Sequence, residues 1–293
     1  MKKGIYPALV TPFTESGELD AYALSSLVDR LLGAGVSGFY VCGSTAEVML
    51  LSLEERKRIL KIVSAQVAGR ADVVAHIGAQ RTEDTIELAR HAAECGVQAI
   101  SALPPIYYKY SLDELTQFYL DIAAAAELPL IIYNAPALSG VAFNTENTGR
   151  LFAEKRILGM KYTSYDLYEM QRMIAANPDK VFINGHDELY LNTLVFGLQH
   201  AIGSTFNFMP GNFLRLREKF EAGDMAGAYQ EQDRINRVVS GLIKVGVFRG
   251  VKGMMQLLGL PGGYCRRPFL PLSAEQMKSL EPLAALCEGG IRA

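Results

Sequence analysis

LPLIIYNAPALSGVAFNTENTGRLFAEKRILGMKY, residues 128–162, contains the structural unit on which the fold of this chain depends. Two short apolar runs, Leu130–Tyr133 and Leu158–Lys161, flank the amphipathic segment Thr145–Ala153. Short apolar runs are typical of strands that are buried on both faces, and the segment between them has helical periodicity. A strand, a helix and a second strand predict a parallel pair, because parallel strands need a crossover connection.

The same unit recurs along the chain. Six further apolar runs are predicted as strands: Ile5–Leu9, Gly38–Val41, Val73–His76, Ala99–Ala102, Val181–Ile183 and Ala201–Ile202. The helical patterns between them are Asp20–Leu32, Leu53–Val67, Thr82–Glu94, Ser111–Ala125, Asp166–Ala175 and Asp187–Phe196. Ser52, Thr82 and Ser111 are the expected N-caps, since acidic residues follow each of them. Eight evenly spaced units predict an α/β fold, a (β/α)8 TIM barrel, with a doubly wound open sheet as the alternative.

After about residue 210 the strand pattern stops. Four helical segments follow: Phe213–Ala222, Met225–Gly241, Lys244–Leu258 and Ser273–Cys287. We expect residues 1–210 to form the barrel with the active site and residues 211–293 to form a C-terminal helical extension packed on it. No Gly/Ser-rich or Pro-rich linker separates the two parts, so the extension is not expected to move freely.

Composition excludes several classes of protein. The chain has 293 residues, of which 49% are hydrophobic, with 29 basic and 31 acidic side chains. This balance gives no overall attraction to nucleic acid or to a membrane surface. The four cysteines lack CxxC spacing, the four histidines lack metal-ligand spacing, and neither a signal-peptide core nor an apolar run of membrane-spanning length is present. We therefore expect a reduced, cytoplasmic protein with no metal site.

The residues at two strand ends are the strongest candidates for catalysis, because TIM-barrel active sites lie at the carboxyl ends of the strands. Lys161 closes a buried strand, where desolvation disfavours the ammonium and a neutral amine can attack a carbonyl to form a Schiff base. A lysine that only reaches a rim carboxylate or solvent is the alternative. Tyr133 ends the preceding strand and can act as general acid or base, or simply pack with its hydroxyl bonded.

Other strand ends are less specific when each is taken alone. Ser44 and Thr45, after Gly43, offer hydroxyls and backbone N–H groups to a carboxylate, although such turns often only cap helices. Tyr107 lies on a loop and is more typical of packing or of an interface. Asp187 and Glu188 are favourable acids at a helix N-terminus, and at this face of a barrel they can also accept hydrogen bonds from sugar hydroxyls.

Taken together, these strand ends resemble the dihydrodipicolinate synthase / N-acetylneuraminate lyase family of class I pyruvate aldolases, from about Pro7 to about Pro271. The resemblance rests on the motifs GSTAE (43–47), YNAP (133–136), GMKYTS (159–164), NGHDE (184–188) and GST (203–205). The lyase branch is the closer likeness, since the synthase branch has an arginine where this chain has Leu138. Leucine cannot pair with the carboxylate that this arginine binds.

The resemblance implies roles for the site residues and no organic or metal cofactor. Lys161 would form the imine, Tyr133 would move the proton, and Ser44 would act with a Tyr107 lent by a neighbouring subunit of a homotetramer, built as a dimer of dimers. Substrate-binding residues would be Thr45, which holds the pyruvate carboxylate with Ser44, and a group facing the polyhydroxyl chain, namely Thr163, Gly185, Asp187, Glu188 and Ser204. The implied reaction is cleavage of N-acetylneuraminate to N-acetylmannosamine and pyruvate.

One position departs from the family pattern. The family usually has glycine where this chain has Ala46, which would be strained if the turn needs a positive φ. Two alternatives stay open, and Ala46 motivates only the second of them. One is another pyruvate-dependent reaction, acting on 2-keto-3-deoxy sugar acids, dehydrating related acids, or making 4-hydroxy-tetrahydrodipicolinate. The other is a non-catalytic barrel that binds a keto acid or a sugar.

Overall fold

The computed structural model describes residues 1–287, so residues 288–293 of the expected extension lie outside the described part. Its eight strands form one parallel sheet: β1 Gly4–Pro7, β2 Gly38–Val41, β3 Asp72–His76, β4 Ala99–Ala102, β5 Leu130–Asn134, β6 Ile157–Tyr162, β7 Val181–Asn184 and β8 His200–Gly203. The strand order is β1-β8-β7-β6-β5-β4-β3-β2. Ala8 and Tyr40 form a parallel bridge beyond the end of β1, and the Leu9 N–H donates to the Tyr40 carbonyl at 2.9 Å. These contacts bring β1 to β2 and confirm the TIM barrel over the open sheet.

Helices alternate with the strands. Nine α-helices lie in the first 221 residues of the described chain: α1 Ala21–Gly33, α2 Leu53–Val67, α3 Thr82–Glu94, α4 Leu112–Ala125, α5 Pro136–Ser139, α6 Gly149–Ala153, α7 Leu167–Ala176, α8 Tyr190–Val195 and α9 Pro210–Glu221. The predicted N-caps at Ser52 and Ser111 are confirmed, and each forms a capping box. The predicted cap at Thr82 is wrong, because Arg81 precedes the helix in extended conformation and Thr82 is already helical.

Two predicted helices are shorter than their sequence patterns. The segment 145–148 is not helical, because Asn144 and Asn147 use their side chains to bind local backbone N–H and carbonyl groups. Side-chain competition of this kind stabilises turns against helix. The predicted helix at 187–196 starts with a 3₁₀ turn, Asp187–Leu189, before α8 begins.

After α9, the first helix of the expected extension, three more helices follow in the described chain: α10 Met225–Val245, α11 Val247–Leu257 and α12 Ala274–Ala284. The break between the first two lies at Gly246, with φ of 90°, and not between residues 241 and 244 as predicted. Gly241 lies inside α10, and it allows close packing against α12, because a Cβ there would overlap Leu283. None of the helices described in residues 1–287 combines the length and the apolar composition needed to cross a membrane.

The core has two layers. The larger one lies between strands and helices, and a smaller cluster fills the inside of the barrel: Tyr6, Ala8, Tyr40, Val74, Ala99, Ile131, Ile183 and Ile202. Side chains alternate along a strand, so Tyr133 shares the inward face of Ile131. Lys161 lies opposite Tyr133 in the β5–β6 register and also points inward. The alternation of side chains along β5 and β6 thus places Tyr133 and Lys161 inside the barrel, near its open end.

Candidate active site

Lys161 lies in an aromatic cage at the mouth of the barrel. Its side chain is buried, with the residue only 4% exposed, and the Nζ atom is 3.9 Å from the centre of the Tyr133 ring and 4.4 Å from that of Tyr40. The two rings stand edge to face, with centroids 6.3 Å apart. The two rings pack against the amine and leave little room for water around it.

The Tyr133 phenol is tuned by its neighbours. Burial raises its pKa, but the charge of Lys161 and polar contacts with Ser44, Lys161 and Thr163 outweigh burial, so the pKa of Tyr133 lies below its usual value. A phenol with a lowered pKa exchanges its proton more readily near neutral pH. Tyr133 therefore combines a position next to the amine with the acidity that proton transfer requires.

Residues 44–46 form a 3₁₀ turn directly after β2. The Thr45 and Ser204 hydroxyls lie 2.7 Å apart, so the turn is tied to the end of β8. Ala46 is buried and is not among the residues with positive φ, whereas Cys42 and Glu47 on either side of the turn are left-handed. The alanine is thus accommodated without backbone strain.

Asp187 also lines the cavity and is buried. It accepts hydrogen bonds from the Thr205 N–H at 2.9 Å and from the Thr205 hydroxyl at 2.7 Å. Burial is the dominant effect and raises the pKa of Asp187 to about 6, despite these two bonds. Gly203 is required beside it, because a Cβ at that position would overlap Asp187 Oδ1, and Gly185 likewise leaves room for Thr163 Oγ1.

A second polar cluster surrounds Glu188. The Tyr165 hydroxyl donates to Glu188 Oε1 at 2.6 Å, and His186 Nδ1 lies 3.1 Å from the same oxygen. The Tyr165 and His186 rings are stacked, with centroids 4.4 Å apart. Burial raises the pKa of Glu188, but the bonds from His186 and Tyr165 outweigh it and hold the pKa below its usual value. Tyr165 was missed by the sequence reasoning, and its only signal was an aromatic residue shortly after a strand end.

These groups line one cavity of about 680 Å³. The structure brings together there nearly every residue singled out from the sequence: Ser44, Thr45, Tyr133, Lys161, Thr163, Gly185, Asp187, Glu188 and Ser204. Tyr107 is the exception, since it does not line the cavity, is 81% exposed and packs edge to face on Tyr108. The sequence reasoning also missed an apolar wall from α10 and α11 that includes Leu242 and Phe248.

The model of the dihydrodipicolinate synthetase family matches residues 1–285. The chain belongs to the dihydrodipicolinate synthetase family. An N-acetylneuraminate lyase from Rhizobium meliloti is 42% identical over 283 residues, which cover 97% of this chain and 94% of the relative. The same name is carried by a Citrobacter koseri relative, 38% identical over 96% of each chain.

Solved structures of family members have the same architecture. N-acetylneuraminate lyase from Mycoplasma synoviae superposes with a TM-score of 0.91 at 35% identity, with 97% of each chain covered. The Ruminococcus gnavus sialic acid aldolase gives a TM-score of 0.93 at 31% identity, covering 98% of this chain and 97% of its own. In the present chain Leu138 lines the cavity and is half exposed, so this position carries no guanidinium.

Proposed function

We propose that this protein is a Schiff-base aldol lyase that cleaves N-acetylneuraminate to N-acetylmannosamine and pyruvate. The observation that carries the proposal is the buried Lys161 amine, 3.9 Å from the Tyr133 ring in a cavity of about 680 Å³. The lyase names of two relatives, 42% and 38% identical to this chain, support the substrate. Leu138 at the cavity mouth supports it as well, because leucine offers no partner to a second carboxylate.

Lys161 begins the reaction as nucleophile. Its amine attacks the ketone carbon, C2, of the open-chain sugar acid; water leaves, and a protonated C=N bond forms. Tyr133 then takes the proton of the hydroxyl on C4, and the C3–C4 bond breaks with its electron pair moving toward the iminium nitrogen. C4 becomes the aldehyde of N-acetylmannosamine, and an enamine remains on Lys161. Protonation of C3 by Tyr133 gives the pyruvate imine, which water hydrolyses to free the amine.

The remaining residues would bind the two ends of the substrate. Ser44 and Thr45 hold the carboxylate with hydroxyl and backbone donors, while Thr163, Gly185, Asp187, Glu188 and Ser204 face the polyhydroxyl chain. Carboxylates accept several hydroxyl hydrogen bonds, and a site built for hydroxyls discriminates against analogues that lack them. Asp187 and Glu188, which both line the cavity, would supply that acceptor capacity.

A homotetramer, built as a dimer of dimers in the cytoplasm, completes the proposal. Ile106, Tyr107 and Tyr108 form an exposed apolar patch on the loop after β4. Exposed aromatic patches of this kind are typical of interfaces. We assign Tyr107 to the active site of the adjoining subunit, where its hydroxyl would relay a proton with Ser44.

The test is borohydride reduction in the presence of pyruvate, followed by peptide mass mapping. We expect one pyruvate-derived adduct on Lys161, none in Lys161→Met, and normal labelling in Lys155→Met, a matched change at an exposed lysine. An adduct on a different lysine contradicts the mechanism. A substrate panel with coupled pyruvate detection tests the sugar: release from a 2-keto-3-deoxy sugar acid but not from N-acetylneuraminate contradicts the substrate assignment.

A further inference from the structure

A buried ion pair joins the barrel to the C-terminal helices. Lys252 of α11 donates to Glu47 Oε1 at 2.6 Å, with side-chain exposures of 4% and 0%. Its ammonium also donates to the carbonyls of Thr11 and Tyr264, at 2.7 and 2.6 Å. All three donor positions of the ammonium therefore have an acceptor, which is the condition under which a buried charge is tolerated.

Glu47 holds an unusual backbone conformation next to the proposed carboxylate site. It directly follows the 3₁₀ turn, its N–H donates to the Ser44 carbonyl at 3.0 Å, and its φ and ψ are 61° and 39°. A non-glycine residue in this left-handed region costs about 1 kcal/mol, and it persists where the surroundings hold it there.

Both oxygens of the Glu47 carboxylate are anchored by the C-terminal region. Oε1 accepts from Lys252, and Oε2 accepts from the Arg266 N–H at 2.8 Å. The Arg266 guanidinium extends the contact to Glu55 at the start of α2 and to the Leu50 carbonyl at 2.9 Å. The turn that bears Ser44 is thus held from its far end by residues of the extension.

Stability alone does not account for this arrangement. Buried ion pairs can often be replaced by apolar residues of similar size with little loss of stability, or even with a gain. Here the charges lie at Glu47, a left-handed residue that directly follows the 44–46 turn. Groups that bind a ligand need their geometry fixed in advance, and a displacement of about 1 Å can cost roughly 100-fold in activity.

We propose that Lys252 is a positioning residue for keto-acid binding: through Glu47 it fixes the 44–46 turn so that Ser44 and Thr45 face the substrate carboxylate. The inference rests on the proposed function and gives the C-terminal helices a part in it. Lys252 acts through Glu47 and does not line the substrate cavity. Removing Lys252 should therefore weaken binding of the substrate carboxylate and leave the amine chemistry of Lys161 unchanged.

The experiment compares two ketones as partners for Lys161. Borohydride trapping is measured against concentration for pyruvate and for hydroxyacetone, which has no carboxylate, in Lys252→Met, Glu47→Gln and the double variant. We expect the half-saturating pyruvate concentration to rise at least tenfold, while hydroxyacetone labelling stays within twofold. Because both residues act as one unit, the double variant should be no worse than the worse single variant.

Arg150→Met is the matched control, because it removes an exposed ion pair with Asp113 and should change the half-saturating concentration of neither ketone. Thermal unfolding is recorded for every variant. Should Lys252→Met fail to fold, Glu47→Gln decides, since it keeps the side-chain volume and one acceptor oxygen. Unchanged pyruvate saturation in a folded variant overturns the proposal, as does equal loss for both ketones. Absence of a pyruvate adduct in the unaltered protein instead overturns the proposed function, and the positioning role with it.

Discussion

Replacing Tyr133 by phenylalanine should separate imine formation from carbon–carbon cleavage. The ring, which lies 3.9 Å from Lys161 Nζ, remains in place, so the amine keeps its surroundings. The hydroxyl, the group assigned to proton transfer, is lost. General acid–base catalysis contributes about 100- to 10,000-fold to a rate. We therefore expect cleavage to slow by that factor, which corresponds to about 3 to 5 kcal/mol of activation barrier.

Two assays on the same preparation measure the two steps. Coupled detection of pyruvate gives the turnover of N-acetylneuraminate, and borohydride trapping with pyruvate gives the amount of imine on Lys161. The expected result for Tyr133→Phe is a large loss of turnover with labelling within about tenfold of normal. Tyr162→Phe is the control, because Tyr162 does not line the cavity and its hydroxyl donates to a backbone group, the Asp166 carbonyl. Turnover within threefold of normal in Tyr133→Phe, or equal loss of both signals, would refute the assigned role.

Three further predictions concern single positions. Asp187→Asn should raise the unfolding temperature at pH 7.5. The folded-state pKa of Asp187, about 6, lies above the unfolded value of about 3.9, so the folded protein binds more protons between these values and loses up to about 3 kcal/mol of stability as the pH rises through that window. Thermal melts from pH 4 to 8 that are parallel in both proteins would contradict this. Gly203→Ala should reduce kcat/KM by roughly 100-fold, since the new Cβ displaces Asp187, and an unchanged value in steady-state assays would show that the cavity adapts. Ala46→Gly should lower the free energy of unfolding by about 0.5 to 1 kcal/mol in urea titrations, because Ala46 has no positive φ to relieve, and a gain in stability would oppose this reasoning.

The barrel could be predicted from local patterns, because each strand–helix unit repeats the same periodicity. Capping boxes at Ser52 and Ser111 located two helix starts. At Thr82 the pattern misled, since the Thr85 hydroxyl donates to the Arg81 carbonyl and accepts from the Ala79 N–H, and the helix starts without a side-chain cap. The break after α10 was misplaced for a different reason: Gly241 serves close packing against α12, which no local pattern records.

The residues of the candidate site likewise differ in how far the sequence could predict them. Lys161 and Tyr133 stand at strand ends, so the alternation of side chains alone places them in the barrel mouth. Tyr165 contacts Glu188 only because two loops converge after the strands have closed. Its part in the site therefore depends on tertiary geometry that one-dimensional periodicity does not contain.

The separation of Glu47 and Lys252 by 205 residues has a consequence for the order of events during synthesis of the protein. A nascent chain carries the reactive lysine of β6 long before the ribosome has made α11. Until then the contacts from Lys252 and Arg266 to Glu47 cannot form. If Lys252 positions the 44–46 turn as proposed, the full affinity for a keto acid is reached only after the C-terminal helices have been translated and packed.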